Sequence, residues 1–149
     1  MITAGTPRAV ADMTNGVAIA TVEVAADPDR VFRALASVEV TRWWVRPGVF
    51  DTREWAGDVK PGGRWRASGI FRGNPYTLEG AFVEVNRPRK LVHTWRAPGN
   101  ESTVTYELEP IDGGTRITLR HSDLHDRQAC SGNAIGWETS FEALQRLLG

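Results

Sequence analysis

The 149-residue chain carries 18 Lys and Arg against 18 Asp and Glu, with 41% hydrophobic and 24% charged residues. This is the composition of one ordinary globular domain, and its zero net charge excludes a basic nucleic-acid binder or a chain drawn to an anionic membrane surface. One cysteine excludes a disulfide scaffold, and the longest apolar run, residues 17–20, is far short of a spanning helix.

Residues 1–16 are small and polar, include Gly5 and Pro7, and follow neither periodicity, which reads as a flexible tail before a single domain over 17–149. They lack the apolar core of a secretory signal, so the expected location is the cytoplasm. Residues 17–24 alternate, placing Ala18, Ala20, Val22 and Val24 on one face of a strand. Asp27 and Pro28 suit the N-cap and first turn of a helix in which Val31, Phe32, Leu35 and Ala36 recur at helical spacing. A second short helix is expected over 38–44, ending before Pro47 and Gly48.

The period then becomes two. Residues 64–71 put Trp65, Ala67, Gly69 and Phe71 on one side. Over 76–85 the phase is open, because Tyr76, Leu78 and Phe82 oppose Ala81, Val83 and Val85. Leu91, His93 and Trp95 share a face of the next strand. Val104, Tyr106 and Leu108 share a face of the one after. A hairpin loop over 111–114 pairs Leu108 with Ile117, Tyr106 with Leu119 and Val104 with His121. Residues 133–148 form an amphipathic helix with Trp137, Phe141, Leu144 and Leu148 as its stripe, and Gly136 and Ser140 beside it to allow close approach to the sheet. The fold class is α+β, with an antiparallel sheet of about six strands and the helices segregated from it.

The order of elements resembles the helix-grip architecture of the START-like (SRPBCC) superfamily, in which a curved sheet wraps a long C-terminal helix. The stretch VEVAADPDRVFRAL, the pair Trp43 and Trp44 before Pro47, and the run Gly62, Gly63, Arg64, Trp65 are similar to the branch named for activators of the Hsp90 ATPase. So are Gly80, Glu84, Val85, Pro88 and Leu91 leading to Thr94 and Trp95. The run GTRITL before His121, and Gly136 with Trp137, complete the likeness, which spans roughly residues 17–148. The resemblance implies a cavity between sheet and helix that holds an apolar or aromatic small molecule. Some members of the superfamily are cyclases or dehydratases. The co-chaperones of the branch carry a further N-terminal domain, whereas about 16 residues precede the first strand here, so full co-chaperone activity is not expected.

Six tryptophans against two tyrosines and five phenylalanines supply the candidate lining: Trp43, Trp44, Trp65, Phe71, His93, Trp95, Tyr106, His121, Trp137 and Phe141. Each can equally fill the core, but Trp needs a partner for its N–H when buried, and rigid aromatic walls suit a small-ligand site. His93, Tyr106 and His121 are the candidates for acid–base chemistry on a polyketide-like substrate, with His93 opposite Tyr106 if Trp95 pairs with Val104. Arg42, Arg46 and Arg53 either clamp a ligand carboxylate or phenolate at the cavity mouth or form a solvated face. His121, Asp123, His125, Asp126 and Cys130 cluster in sequence without a recognisable zinc spacing, so neither a metal nor another cofactor is expected. The expected partner is a small hydrophobic or aromatic ligand, with no nucleic acid and no membrane. Pairing of two copies through a sheet edge and an Hsp90-type chaperone partner are the remaining readings.

Overall fold

Alternating hydrophobicity and a capped amphipathic segment generate most of the architecture. The computed structural model describes residues 5–97, 100–124 and 126–149. The chain opens with β1 (Arg8–Asp12) and β2 (Val17–Val24), followed by α1 (Pro28–Leu35) and α2 (Val40–Trp43). Seven strands follow: β3 (Val45–Arg46), β4 (Phe50–Gly57), β5 (Arg64–Phe71), β6 (Asn74–Asn86), β7 (Lys90–Ala97), β8 (Asn100–Ile111) and β9 (Gly114–Ser122). The last element is α3 (Arg127–Leu148). All nine strands join one antiparallel sheet in the order β1-β2-β9-β8-β7-β6-β5-β4-β3.

The α+β helix-grip class stands, with nine strands in place of about six. The extra strands come from the supposed tail and from the segment around Trp55. Residues 8–12 are not a loose tail: they pair with β2 from Arg8 opposite Thr21 to Asp12 opposite Val17. Trp55 lies in β4, half-buried against the core. No helix among the described residues is long and apolar enough to cross a membrane.

Local chemistry explains the elements. Asp27 caps α1 by accepting the Arg30 N–H at 2.8 Å, and α1 buries Val31, Phe32, Ala34 and Leu35. The hairpin β8–β9 has the expected register, with Leu108 opposite Ile117, Tyr106 opposite Leu119 and Val104 opposite His121. The phase of β6 is decided by a bulge. Phe82 pairs with His93 and Glu84 with Val92, so Val83 is the extra residue and points outward. Tyr76, Leu78 and Phe82 therefore face inward before the bulge, and Val85 packs on the core after it. Gly80 is needed for close approach: a Cβ there would lie 2.0 Å from the Thr94 carbonyl oxygen and 2.5 Å from Trp65 Nε1.

Helix α3 begins six residues earlier than its apolar stripe predicts, because Asp126 caps it by accepting the Ala129 N–H at 3.0 Å. Its first turns bury Cys130 and Ala134 in a small cluster with Ala18 and Leu124. Its later turns bury Trp137, Phe141 and Leu144 in the main core. Gln145 donates to the carbonyls of Glu23 at 2.8 Å and Gly5 at 2.9 Å, and Glu138 accepts from the Ala9 N–H at 3.0 Å. These bonds hold α3 against β1 and β2. The opposite half of the curled sheet, β4 to β7, stands away from the helix.

Candidate functional site

The gap left by this asymmetry is a cavity of about 850 Å³. Strand β4 contributes Phe50 and Thr52, the β5–β6 hairpin contributes Phe71, Arg72, Tyr76 and Leu78, and β7 contributes Trp95. Trp44 and Arg46 close it from the α2–β3 side. Helix α3 offers Ala129, Gly132, Asn133, Gly136 and Ser140, together with Trp137. Those helix positions are small residues at helical spacing on one face, and they determine the cavity's width. A Cβ at Gly132 would meet no atom within 4 Å, and one at Gly136 would meet only Phe50 Cε1 at 3.9 Å. Gly136 and Ser140 thus do not bring α3 onto the sheet, as their place beside the stripe predicts, but keep the space in front of it open.

Of the ten candidate lining residues, Trp44, Phe71, Trp95 and Trp137 border the cavity. Phe71 does so at the mouth, where it is 45% exposed. Trp43, Trp65, His93, Tyr106, His121 and Phe141 lie behind that wall in the packed core. Trp43 is fully buried, donates its indole N–H to the Ala34 carbonyl at 2.8 Å, and contacts the rings of Trp44, Tyr106, Trp137 and Phe141. Trp65 donates to the Thr94 carbonyl at 3.1 Å. The two aromatic layers interlock, with Trp44 4.9 Å from Trp95 and 5.6 Å from Trp65 between ring centroids.

The wall is oriented by a buried hydrogen-bond relay. Trp137 Nε1 is only a donor, so its 3.0 Å bond to His121 Nδ1 makes that nitrogen the acceptor. His121 therefore carries its proton on Nε2 and donates it to Ser102 Oγ at 2.6 Å; Ser102 in turn donates to the Trp95 carbonyl at 3.4 Å. The chain ties two cavity walls, Trp137 and Trp95, through one neutral imidazole. Burial, with a smaller contribution from neighbouring His93, holds the His121 pKa down at about 3. His93 is likewise held at about 4 by burial, against the opposing effect of its 3.0 Å bond to the Thr94 carbonyl.

The acid–base candidates do not take the register, Trp95 opposite Val104, that would set His93 opposite Tyr106. His93 faces Val104 rather than Tyr106, because Trp95 pairs with Ser102 and Leu91 takes the position opposite Tyr106. The His93 and Tyr106 rings still approach diagonally, at 5.9 Å. Burial raises the Tyr106 pKa, and the Trp44 indole offsets part of that rise. Neither the Tyr106 hydroxyl nor Trp44 Nε1 reaches hydrogen-bond geometry. None of His93, Tyr106 and His121 borders the cavity.

Other candidates disperse. Among the three arginines near the tryptophan pair, Arg46 borders the cavity, Arg42 is exposed, and Arg53 pairs with Asp51 at 3.1 Å. Asp126 caps α3, and the Cys130 thiol packs toward the Val17 carbonyl at 3.4 Å. His125 lies outside the described residues. Among the described residues, no group of three or more His, Cys, Asp and Glu side chains is positioned to hold a metal ion. The polar pair of Thr52 and Tyr76, hydroxyl to hydroxyl on the cavity wall, was not legible in the sequence; the period-two pattern of β6 offered Tyr76 only as one of two phases.

A curled antiparallel sheet gripping a C-terminal helix, with a cavity between them, defines a helix-grip domain of the START-like class. Residues 25–149 match the family described as Activator of Hsp90 ATPase homolog 1-like protein, and the chain belongs to that family. Protein CV1439 from Chromobacterium violaceum shares the fold with a TM-score of 0.81 at 19% identity, over 89% of this chain and 96% of that one. Protein NE0264 from Nitrosomonas europaea aligns with a TM-score of 0.75 at 26% identity, over 89% and 93% of the two chains. CalU16 from Micromonospora echinospora aligns with a TM-score of 0.68 at 20% identity, over 99% and 87%. No curated protein matches the chain at significant similarity.

Proposed function

We propose that this chain is a small-molecule binding domain that holds an apolar, aromatic ligand between β4–β7 and α3. The observation that carries this reading is the cavity of about 850 Å³ walled by Trp44, Trp95, Trp137, Phe50 and Phe71. Its size falls within the ~300–1,000 Å³ typical of small-ligand pockets, and its polar groups, Thr52, Tyr76, Asn133 and Ser140 among them, are of the kind that orient a ligand. Two glycines inside a long helix reinforce it, since each costs helix stability and neither is required by a neighbouring backbone. The acid–base alternative on His93, Tyr106 and His121 gains no support from the geometry, because a general acid or base must reach the reacting atom directly or through one water.

The test is titration with a panel of aromatic compounds, neutral and anionic, followed by tryptophan fluorescence, on the native chain and on Gly136→Leu. Three cavity-lining tryptophans make quenching a direct reporter. Saturable binding to the native chain that weakens at least tenfold in Gly136→Leu supports the reading. Flat titrations across the panel, or binding indifferent to that substitution, would refute it.

A further inference from the structure

The chain is neutral overall, but its cavity is not. Arg46 and Arg72 both border it, whereas no Asp or Glu does among the described residues. The carboxylate that acts on nearby Tyr76, Asp51, lies outside the lining and is held by Arg53 at 3.1 Å. Neither Arg46 nor Arg72 forms a salt bridge among the described residues.

The two arginines belong to one rim. Arg46 ends β3 and opens the turn whose Val49 N–H returns to the Arg46 carbonyl at 2.9 Å. Arg72 N–H donates to the Val49 carbonyl at 2.8 Å, lacing the β5–β6 hairpin tip to that turn. Arg72 also occupies a costly place. The two-residue loop of Arg72 and Gly73 has φ of 49° and 84°, the positive pair of a type I′ turn. Asn and Gly are the residues that fit such a loop, and a long non-glycine side chain there is strained. Strain of this kind concentrates at ligand clamps. The Arg72 guanidinium rests 5.5 Å from the centroid of the Phe71 ring, which supports it at the mouth.

We infer that the cavity takes an aromatic monoanion, its ring system between the tryptophans and its carboxylate, sulfonate or phenolate at the rim with Arg46 and Arg72. This rests on the binding reading above and narrows its ligand class. Guanidinium groups pair with carboxylate and sulfonate oxygens through charge-assisted hydrogen bonds. An apolar chamber with unneutralised cations at its entrance favours a ligand that is apolar at one end and anionic at the other.

Two probes share one aromatic body and differ by the charge: 8-anilinonaphthalene-1-sulfonate and N-phenyl-1-naphthylamine. Their dissociation constants are measured by quenching of the protein's tryptophan emission in the native chain, Arg46→Gln, Arg72→Asn and the double variant. The sulfonate is expected to lose about threefold affinity with each substitution and about tenfold with both, a size tempered by solvent at the rim. The neutral amine should stay within about twofold, because its contacts are apolar. Arg72→Asn suits the turn better than Arg, so its melting temperature should hold or rise while sulfonate affinity falls, which separates the ligand role from a structural one. Equal shifts for the two probes, or unchanged sulfonate affinity in the double variant, overturn the inference while the cavity stands. If Gly136→Leu leaves the neutral probe's affinity unchanged, or neither probe binds the native chain, the cavity reading fails and this inference with it.

Discussion

Replacing Gly132 and Gly136 by alanine should stabilise the protein. Both lie inside α3, and neither has a positive φ. A methyl group would contact nothing within 4 Å at Gly132 and only Phe50 Cε1, at an ordinary 3.9 Å, at Gly136. With no steric penalty, the helix-propensity difference of about 0.8–1 kcal/mol per Gly→Ala acts alone. The double variant gains roughly 2 kcal/mol, which for a chain of this length raises the melting temperature by about 4–8 °C. Calorimetry gives the shift, and urea unfolding with a raised midpoint and an unchanged m-value shows that it is a gain in stability. If α3 were instead packed on the sheet at these positions, each methyl would overfill the interface and cost about 1–3 kcal/mol. A drop in melting temperature for either single variant would therefore refute the open cavity.

Further outcomes follow from the buried polar groups and the aromatic wall. His121 and His93, held at about 3 and about 4, sit below the unfolded value of 6.5. The unfolded chain binds more protons between those values, so the stability they contribute is complete above about pH 6.5 and is lost as pH falls toward 4, by about 1–2 kcal/mol per pH unit and histidine. Urea unfolding between pH 7 and 4.5 should show this loss, and His93→Gln should reduce its slope to about half; a flat profile contradicts the buried neutral rings. Ser102→Ala strands the His121 Nε2 proton and should cost about 1–3 kcal/mol while loosening Trp137, seen as altered near-ultraviolet dichroism. Trp43→Ala, at a fully buried site, should cost about 3–5 kcal/mol in chemical unfolding. Asp27→Ala removes the α1 cap and should cost about 1 kcal/mol.

Strands with one buried face were legible from their period-two alternation. Residues 17–24 and the β8–β9 pairing declare their register, because a one-residue slip would turn every apolar side chain outward. Asp27 with Pro28 declares a helix start by local chemistry. The strand Arg8–Asp12 was hidden, since five residues at a sheet edge carry little pattern of their own and depend on β2 for pairing. The first turns of α3 were hidden for a related reason: residues 127–132 precede the apolar stripe that begins at Trp137, and the Asp126 cap and the burial of Cys130 are what make them helical.

The candidate site was legible as a neighbourhood but not as a surface. Tryptophan identity marks the inner layer without saying which rings face the ligand space. Trp43 and Trp65 found backbone carbonyls for their N–H groups and became core, while Trp44, Trp95 and Trp137 became wall. The cavity's shape comes from small residues on α3, and the β6 bulge at Val83 sets the inward phase of Tyr76 and Leu78. Neither signal has a sequence period of its own. Zero net charge says nothing of how the charges are distributed: Arg46 and Arg72 border the cavity, and no Asp or Glu among the described residues does.

The most direct test of the ligand cavity is a proton–nitrogen correlation spectrum of the labelled chain titrated with N-phenyl-1-naphthylamine. Binding between sheet and helix should shift the amides of Gly132, Gly136 and Thr77 and the indole signals of Trp95 and Trp137, all on residues that border the cavity. Resonances on the far side of the sheet, such as Val83 and Arg120, should stay in place. Perturbations confined to that outer surface, or none at saturating probe, would contradict the account.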